Sequence, residues 1–107
     1  MKLVGRNLSP YTRRVAIELT MQGIAHEREY FSPTKDPKGA FAFNPLGRVP
    51  ALILDDGEHL IESGAILDYL GTLVDPARLS IPSGGKPRRD CLQVMGIATG
   101  VLDKAIA

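Results

Sequence analysis

The sequence predicts an α/β domain: a small mixed sheet covered by helices, in the order β-α-β-(α)-β-β-α, followed by a linker and one further helix. Three observations predict it. Short apolar runs alternate with longer segments whose apolar residues recur at i+4. Between residues 32 and 47 the pattern is broken by Pro33, Pro37 and Pro45 and by Gly39 and Gly47, as in a loop. Residues 75–86, DPARLSIPSGGK, are rich in Pro, Gly and Ser and read as a linker.

The elements follow in chain order. Residues 2–5, KLVG, form a first short strand. The first helix is expected over residues 10–22: Ser9 is a good N-cap, Pro10 suits the first helical position, and Gly23 supplies the stop. Its apolar stripe is Tyr11, Val15 and Leu19, widened by Ala16. Residues 26–31, HEREYF, give a charged second strand, and a short helix falls near residues 38–43 within the loop. Strand three is residues 51–54. Asp56 and Gly57 make a hairpin turn, and residues 58–61 return as strand four. IESGAILDYLGTLV then forms a helix with Ala65, Ile66, Leu67 and Leu70 on its apolar side. These elements make a domain over residues 1–75, a linker over 76–86 and a last helix over 87–107.

That last helix has apolar positions Cys91, Met95, Ala98, Val101, Leu102 and Ile106 and no later element to pack on. The expectation is a truncated version of a longer protein. Gly96, Ala98 and Gly100 lie among the apolar positions and would permit close helix approach.

Composition narrows the function classes. A chain of 107 residues fits one domain, or one small domain and a fragment of another. With 44% hydrophobic and 23% charged residues it is ordinary for a globular protein. The net charge of +1 gives no footprint for nucleic acid, and the pairs Arg13/Arg14 and Arg88/Arg89 read as solvated. The longest apolar run is about six residues, far short of the ~20 that a membrane span needs. No secretory h-region precedes the first strand, so a cytoplasmic location is the expectation. Cys91 is the only cysteine: it cannot close an internal disulfide, no cluster suggests a metal, and it reads as a half-buried helix residue.

Pro50 poses a specific question. Proline cannot donate to a sheet ladder, so a proline at the threshold of strand three needs a reason. It is one of three pieces that the strand order can gather at one end of the sheet: SPYT at residues 9–12, the Val49-Pro50 step, and Glu62-Ser63 at the start of the next helix. On their residue types alone these have plain structural readings: an N-cap before proline, a loop terminator and a helix first turn. A helix N-terminus is also a ready anion site.

Together, SPYTRRV, NPLGRVPAL and LIESGAILDYL make the sequence resemble the glutathione S-transferase family. Roughly residues 1–74 resemble its N-terminal thioredoxin-like domain, and residues 87–107 resemble the first helix of its all-helical second domain. The resemblance implies a cis Val49-Pro50 bond, which costs an X-Pro step only ~0.5–1 kcal/mol. It implies that the Val49 main chain pairs with the cysteinyl backbone of glutathione, a small β-augmentation. It implies that Glu62 and Ser63 hold the γ-glutamyl ammonium and carboxylate, and that Arg48 lies near the glycine carboxylate. Ser9 becomes the catalytic candidate, its hydroxyl favouring the thiolate of glutathione; Tyr11 is the rival, placed in the first helical turn as a packing or pocket residue. Asp68 is either an exposed helix residue or one that reaches a partner subunit's glutathione.

SPYT lacks both cysteines of a C-x-x-C pair, which excludes dithiol exchange. The resemblance thus implies a cytoplasmic transferase of the detoxification kind. Glutathione would be its co-substrate and a small electrophile or peroxide its second substrate, in a homodimer without metal, nucleic acid or membrane partners. The alternative is a non-catalytic interaction module of the same family. In the family the second substrate sits between the two domains, so a chain lacking most of the helical domain could keep the glutathione site without useful turnover.

Overall fold

A computed structural model of the chain describes residues 1–106. The chain divides into two compact units, Met1–Thr72 and the residues from Leu73 onward. In the first unit, strand β1 (Lys2–Val4) leads to helix α1 (Pro10–Met21), then to β2 (Glu27–Glu29), a 3-10 turn at Gly39–Ala42, strands β3 (Ala51–Ile53) and β4 (His59–Ile61), and helix α2 (Ser63–Gly71). The sheet order is β2-β1-β3-β4. β1 and β2 run parallel, as a strand pair joined through a helix can. β1 with β3 and β3 with β4 are antiparallel. This is the thioredoxin-like arrangement.

Alternation along the central strands builds the core. Leu3 and Leu52 sit opposite one another in the β1–β3 ladder and are both fully buried. With Val15 and Leu19 of α1 and Ile66 and Leu70 of α2 they make one apolar cluster, so both helices seal this face of the sheet. Each such side chain contributes roughly 1.5–3 kcal/mol of burial. The stripe of α1 differs in one member: fully buried Thr12 joins Val15 and Leu19, whereas Tyr11 is half-buried. In α2 the buried positions are Ser63, Ile66 and Leu70, at i+3 and i+4 spacing. Ala65, expected on the apolar side, is exposed because its helical phase lies off that stripe.

Several bounds move inward. α1 ends at Met21 with Gln22 as its C-cap, and β3 and β4 are each three residues long. β2 is likewise three residues where six were expected. Phe31 leaves the strand and packs edge-on against Phe43, ring centroids 5.1 Å apart. The expected helix in the loop is a single 3-10 turn.

In the second unit a 3-10 turn at Pro76–Arg78 precedes helix α3 (Gly85–Ile106). α3 starts two residues before the expected position. Pro87 is tolerated in a first helical turn, where its missing N–H has no partner to lose. Lys86 and Asp90 pair at i,i+4 across the same turn. No described residue of α3 is fully buried; Cys91 is half-buried, with its Sγ 3.9 Å from Met95 Sδ. Ala107, assigned to this helix from the sequence, lies outside the described residues.

The register decides where the functional segments emerge. Val4 pairs with both Glu29 and Ala51, and Ala51 pairs with Ile61. The ends of β1, β2 and β4 therefore meet the beginning of β3 at one end of the sheet. Gly5, Tyr30 and Glu62 leave there, and Pro50 arrives there.

Candidate active site

The loop from β1 to α1 is held from several sides. Gly5 N–H donates to Glu29 O at 2.8 Å, extending the β1–β2 ladder by one bond. Arg28 Nη2 donates to Gly5 O at 3.0 Å and to Asn7 Oδ1 at 2.9 Å, and Arg13 Nε donates to Asn7 O at 3.0 Å. The Arg28 guanidinium also lies 4.5 Å from the centre of the Tyr30 ring. Ser9 follows as the N-cap of α1, with extended φ/ψ of −73° and 120°. Its Oγ accepts from Thr12 N–H at 3.2 Å. A hydroxyl that accepts there keeps its proton to donate elsewhere, and among the described residues Ser9 Oγ has no further partner.

The second piece enters over the turn at residues 44–47. Asn44 is buried at 3% exposure. Its Oδ1 accepts from Leu46 N–H and its carbonyl from Gly47 N–H, each at 2.8 Å, while Gly47 takes φ +65°. Arg48 is exposed on this loop, and the Val49-Pro50 peptide bond is cis with Pro50 buried. Among the described residues, none of the turn and loop backbone hydrogen bonds uses Val49.

Glu62 and Ser63 make the third piece. Glu62 caps α2 with φ +73°, a rare value for a residue with a side chain. Its Oε1 accepts from Gly64 N–H at 3.0 Å, and its carbonyl accepts from Ile66 N–H at 3.0 Å. Glu62 is exposed, whereas Ser63 is 2% exposed. Ser63 Oγ accepts two bonds from one partner: Arg14 Nε at 3.0 Å and Arg14 Nη2 at 2.8 Å.

Helix α1 connects the three pieces. Ser9 caps it, Thr12 touches the Gly5–Val49 approach, and Arg14 reaches Ser63 on α2. Arg14 is thus a half-buried anchor, a correction to its reading as a solvated arginine. Nothing in the sequence pattern marks it, because it lies about 100° around the helix from buried Val15. Thr12 and Asn44 lie in the SPYT and NPLGRVPAL segments, but their individual roles, like that of Arg28, went unread for a similar reason: polar residues enter no apolar stripe. Tyr11 sits in the first turn of α1.

Among the described residues no group of three or more His, Cys, Asp or Glu side chains could hold a metal ion. No described helix is long and apolar enough to cross a membrane. A shallow cleft lined by Met1, His26, Ile53 and Asp55 lies at the opposite sheet end, remote from these pieces.

Residues 3–78 match the family model described as glutathione S-transferase, N-terminal domain. The chain belongs to the glutathione S-transferase family. Within it, the uncharacterized GST-like protein YibF of Escherichia coli (strain K12) is 32% identical over 106 residues, covering 99% of this chain and 52% of the relative. A maleylacetoacetate isomerase of Pseudomonas aeruginosa is 39% identical over 75 residues, covering 65% of this chain and 35% of its own length. A glutathione S-transferase from Methylobacillus flagellatus, solved with glutathione bound, superposes with a TM-score of 0.90 at 32% identity, covering 99% of this chain and 52% of that one. A glutathione transferase family member from Pseudomonas fluorescens Pf-5, also with bound glutathione, gives 0.85 at 33% identity, covering 98% of this chain and 53% of that one. The chain therefore spans about half the length of several relatives that it matches, and a third of the isomerase.

Proposed function

We propose that the chain binds glutathione at the sheet end where Gly5, Pro50 and Glu62 meet, and stabilises its thiol as thiolate through the Ser9 hydroxyl. The observation that carries this reading is the Ser9–Thr12 bond: Ser9 Oγ accepts from the helix and retains its proton for a sulfur. A thiol of this type ordinarily titrates near 8.5, and only the thiolate is a good nucleophile. A hydrogen bond to sulfur and the N-terminus of α1 both favour the anion. Lowering the thiol pKa by about two units represents roughly 2.7 kcal/mol. Ser9 acts by orientation and electrostatics and forms no covalent intermediate.

The other roles follow. The Val49 main chain pairs with the cysteinyl backbone of the ligand. Ser63 and the α2 amides take the γ-glutamyl carboxylate, and the Glu62 carboxylate takes the ammonium. Arg48 attracts the glycine carboxylate, and Tyr11 borders the pocket. The thiolate then attacks a small electrophile or peroxide. The residues between α2 and α3 act as a linker, and α3 opens a helical domain. Family membership alone supports a cytoplasmic homodimer, which sedimentation of the purified protein and fractionation of cells would test. The bound glutathione in relatives at 32–33% identity supports the ligand assignment.

The test is titration of glutathione into the protein across pH while following thiolate absorbance, with Ser9→Ala alongside. Binding with a lowered thiol pKa that returns toward the free value in Ser9→Ala is the expected result. Binding with an unshifted thiol would overturn the activation step and favour the non-catalytic interaction module. A folded sample that binds no glutathione would overturn the assignment.

A further inference from the structure

We propose that Arg14 is a positioning residue for the ligand's γ-glutamyl end: its two N–H groups hold Ser63 Oγ as their acceptor and so leave the Ser63 proton for the ligand. The inference rests on the glutathione reading and specifies how one part of that site is set. A serine hydroxyl has one proton to give and two lone pairs to accept with. Arg14 Nε and Nη2 donate to the same oxygen at 3.0 and 2.8 Å, so its accepting side faces the guanidinium. A guanidinium has no acceptor, so it cannot take the proton of Ser63 in return. Ser63 is 2% exposed, and no other described group bonds to its oxygen. The hydroxyl proton is therefore unspent, and a buried unspent donor favours any acceptor that reaches it.

The surroundings say which acceptor fits. Ser63 is the first residue of the nine-residue helix α2, where free amides favour an anion. A β-carbon on Gly64 would stand 3.6 Å from Arg14 Nη2 and 3.3 Å from Glu62 Oε1, so a cation, a carboxylate and open backbone share one small area. That pattern complements a zwitterionic amino-acid group, its carboxylate toward Ser63 and its ammonium toward Glu62. Lysine at position 14 is only a partial substitute, because its point charge lacks the rigid fork that puts two N–H groups on one oxygen.

The experiment compares two ligands: glutathione, and 4-aminobutyryl-cysteinylglycine, which lacks the γ-glutamyl carboxylate. Calorimetry gives Kd for the unaltered protein, Arg14→Met, Arg14→Lys, Ser63→Ala and the Arg14→Met/Ser63→Ala double variant. Glutathione binding should weaken about tenfold or more in Arg14→Met. Binding of the carboxylate-free analogue should stay within about twofold, since the contact in question is absent from it. The double variant should bind glutathione no more weakly than Ser63→Ala, and the bound thiol should titrate as before. Arg14→Lys should fall between the unaltered protein and Arg14→Met, and it carries the test where thermal melting shows Arg14→Met unfolded. Equal weakening of both ligands would make Arg14 a mere brace between α1 and α2 and overturn the inference. So would an undiminished glutathione affinity in Arg14→Met. Failure of the unaltered protein to bind glutathione would instead overturn the reading beneath it.

Discussion

Thr12 Oγ1 stands where a β-carbon on Gly5 would have to go, with only 2.5 Å between the two positions. Thr12 Cγ2 and Val49 Cβ would lie 3.0 and 3.1 Å from the same point. The end of β1, the first turn of α1 and the residue before Pro50 thus converge on the empty side of one glycine. Two of the three segments read as a glutathione site are registered against each other through this contact. Arg14, two residues beyond Thr12, registers the third.

Gly5→Ala should therefore disturb both the fold and the ligand site. The residue has φ +130°, outside the range an alanine adopts easily, and its new methyl would collide with Thr12. A loss of about 1–3 kcal/mol is expected from the backbone alone, measured by denaturant unfolding, with a weakened glutathione Kd beside it. Combining it with Thr12→Ala should cost less than the two changes added, because the second relieves the collision with Thr12 and leaves the backbone strain and the tight approach of Val49 Cβ. Strict additivity would show that Thr12 has no part in it.

Thr12→Val should be stabilising. Thr12 Oγ1 is fully buried and has no hydrogen-bond partner among the described residues. Valine keeps the shape and removes a desolvated hydroxyl, whose burial costs about 1–3 kcal/mol. The denaturation midpoint should rise with an unchanged m-value. A fall would mean that the hydroxyl is satisfied, by water or by the Gly5 backbone nearby.

Leu52→Ala tests the core that fixes the sheet end. Leu52 is fully buried opposite Leu3 and packs in the cluster built by both helices. A buried leucine cut to alanine costs about 2–5 kcal/mol through lost burial and the cavity left behind. A loss below about 1 kcal/mol would contradict the packing described.

The legible parts of this fold were those set by local chemistry. Ser9 followed by Pro10 announces a helix start, and Asp56-Gly57 announces a hairpin, because capping and turn geometry need only neighbouring residues. Strand β2 was less legible, since an edge strand with Glu27 and Glu29 lacks apolar alternation and yields early to Phe31 packing on Phe43. The site divides in the same way. Ser9 and Ser63 could be picked as helix-start residues, but their roles came from likeness to a family, not from spacing. What holds them was hidden. Arg14 crosses to Ser63, 49 positions away in sequence, and the positive φ of Glu62 has no local signature. Long-range partners of polar residues leave no periodicity to read.

Ser9 carries two roles that substitutions can separate. Ser9→Ala removes the N-cap of α1 together with the proposed donor to sulfur, so it should cost about 1 kcal/mol of stability along with any effect on the thiol. Ser9→Asp keeps an acceptor for Thr12 N–H, since aspartate caps as well as serine. It has no proton to give when ionised, and its charge would oppose a thiolate. The prediction is a protein close to the original in stability whose bound glutathione thiol titrates at or above its free value. Denaturant unfolding and thiolate absorbance across pH check the two halves independently. A Ser9→Asp protein that still lowered the thiol pKa would locate the activation in the amides of α1 instead of in the serine hydroxyl.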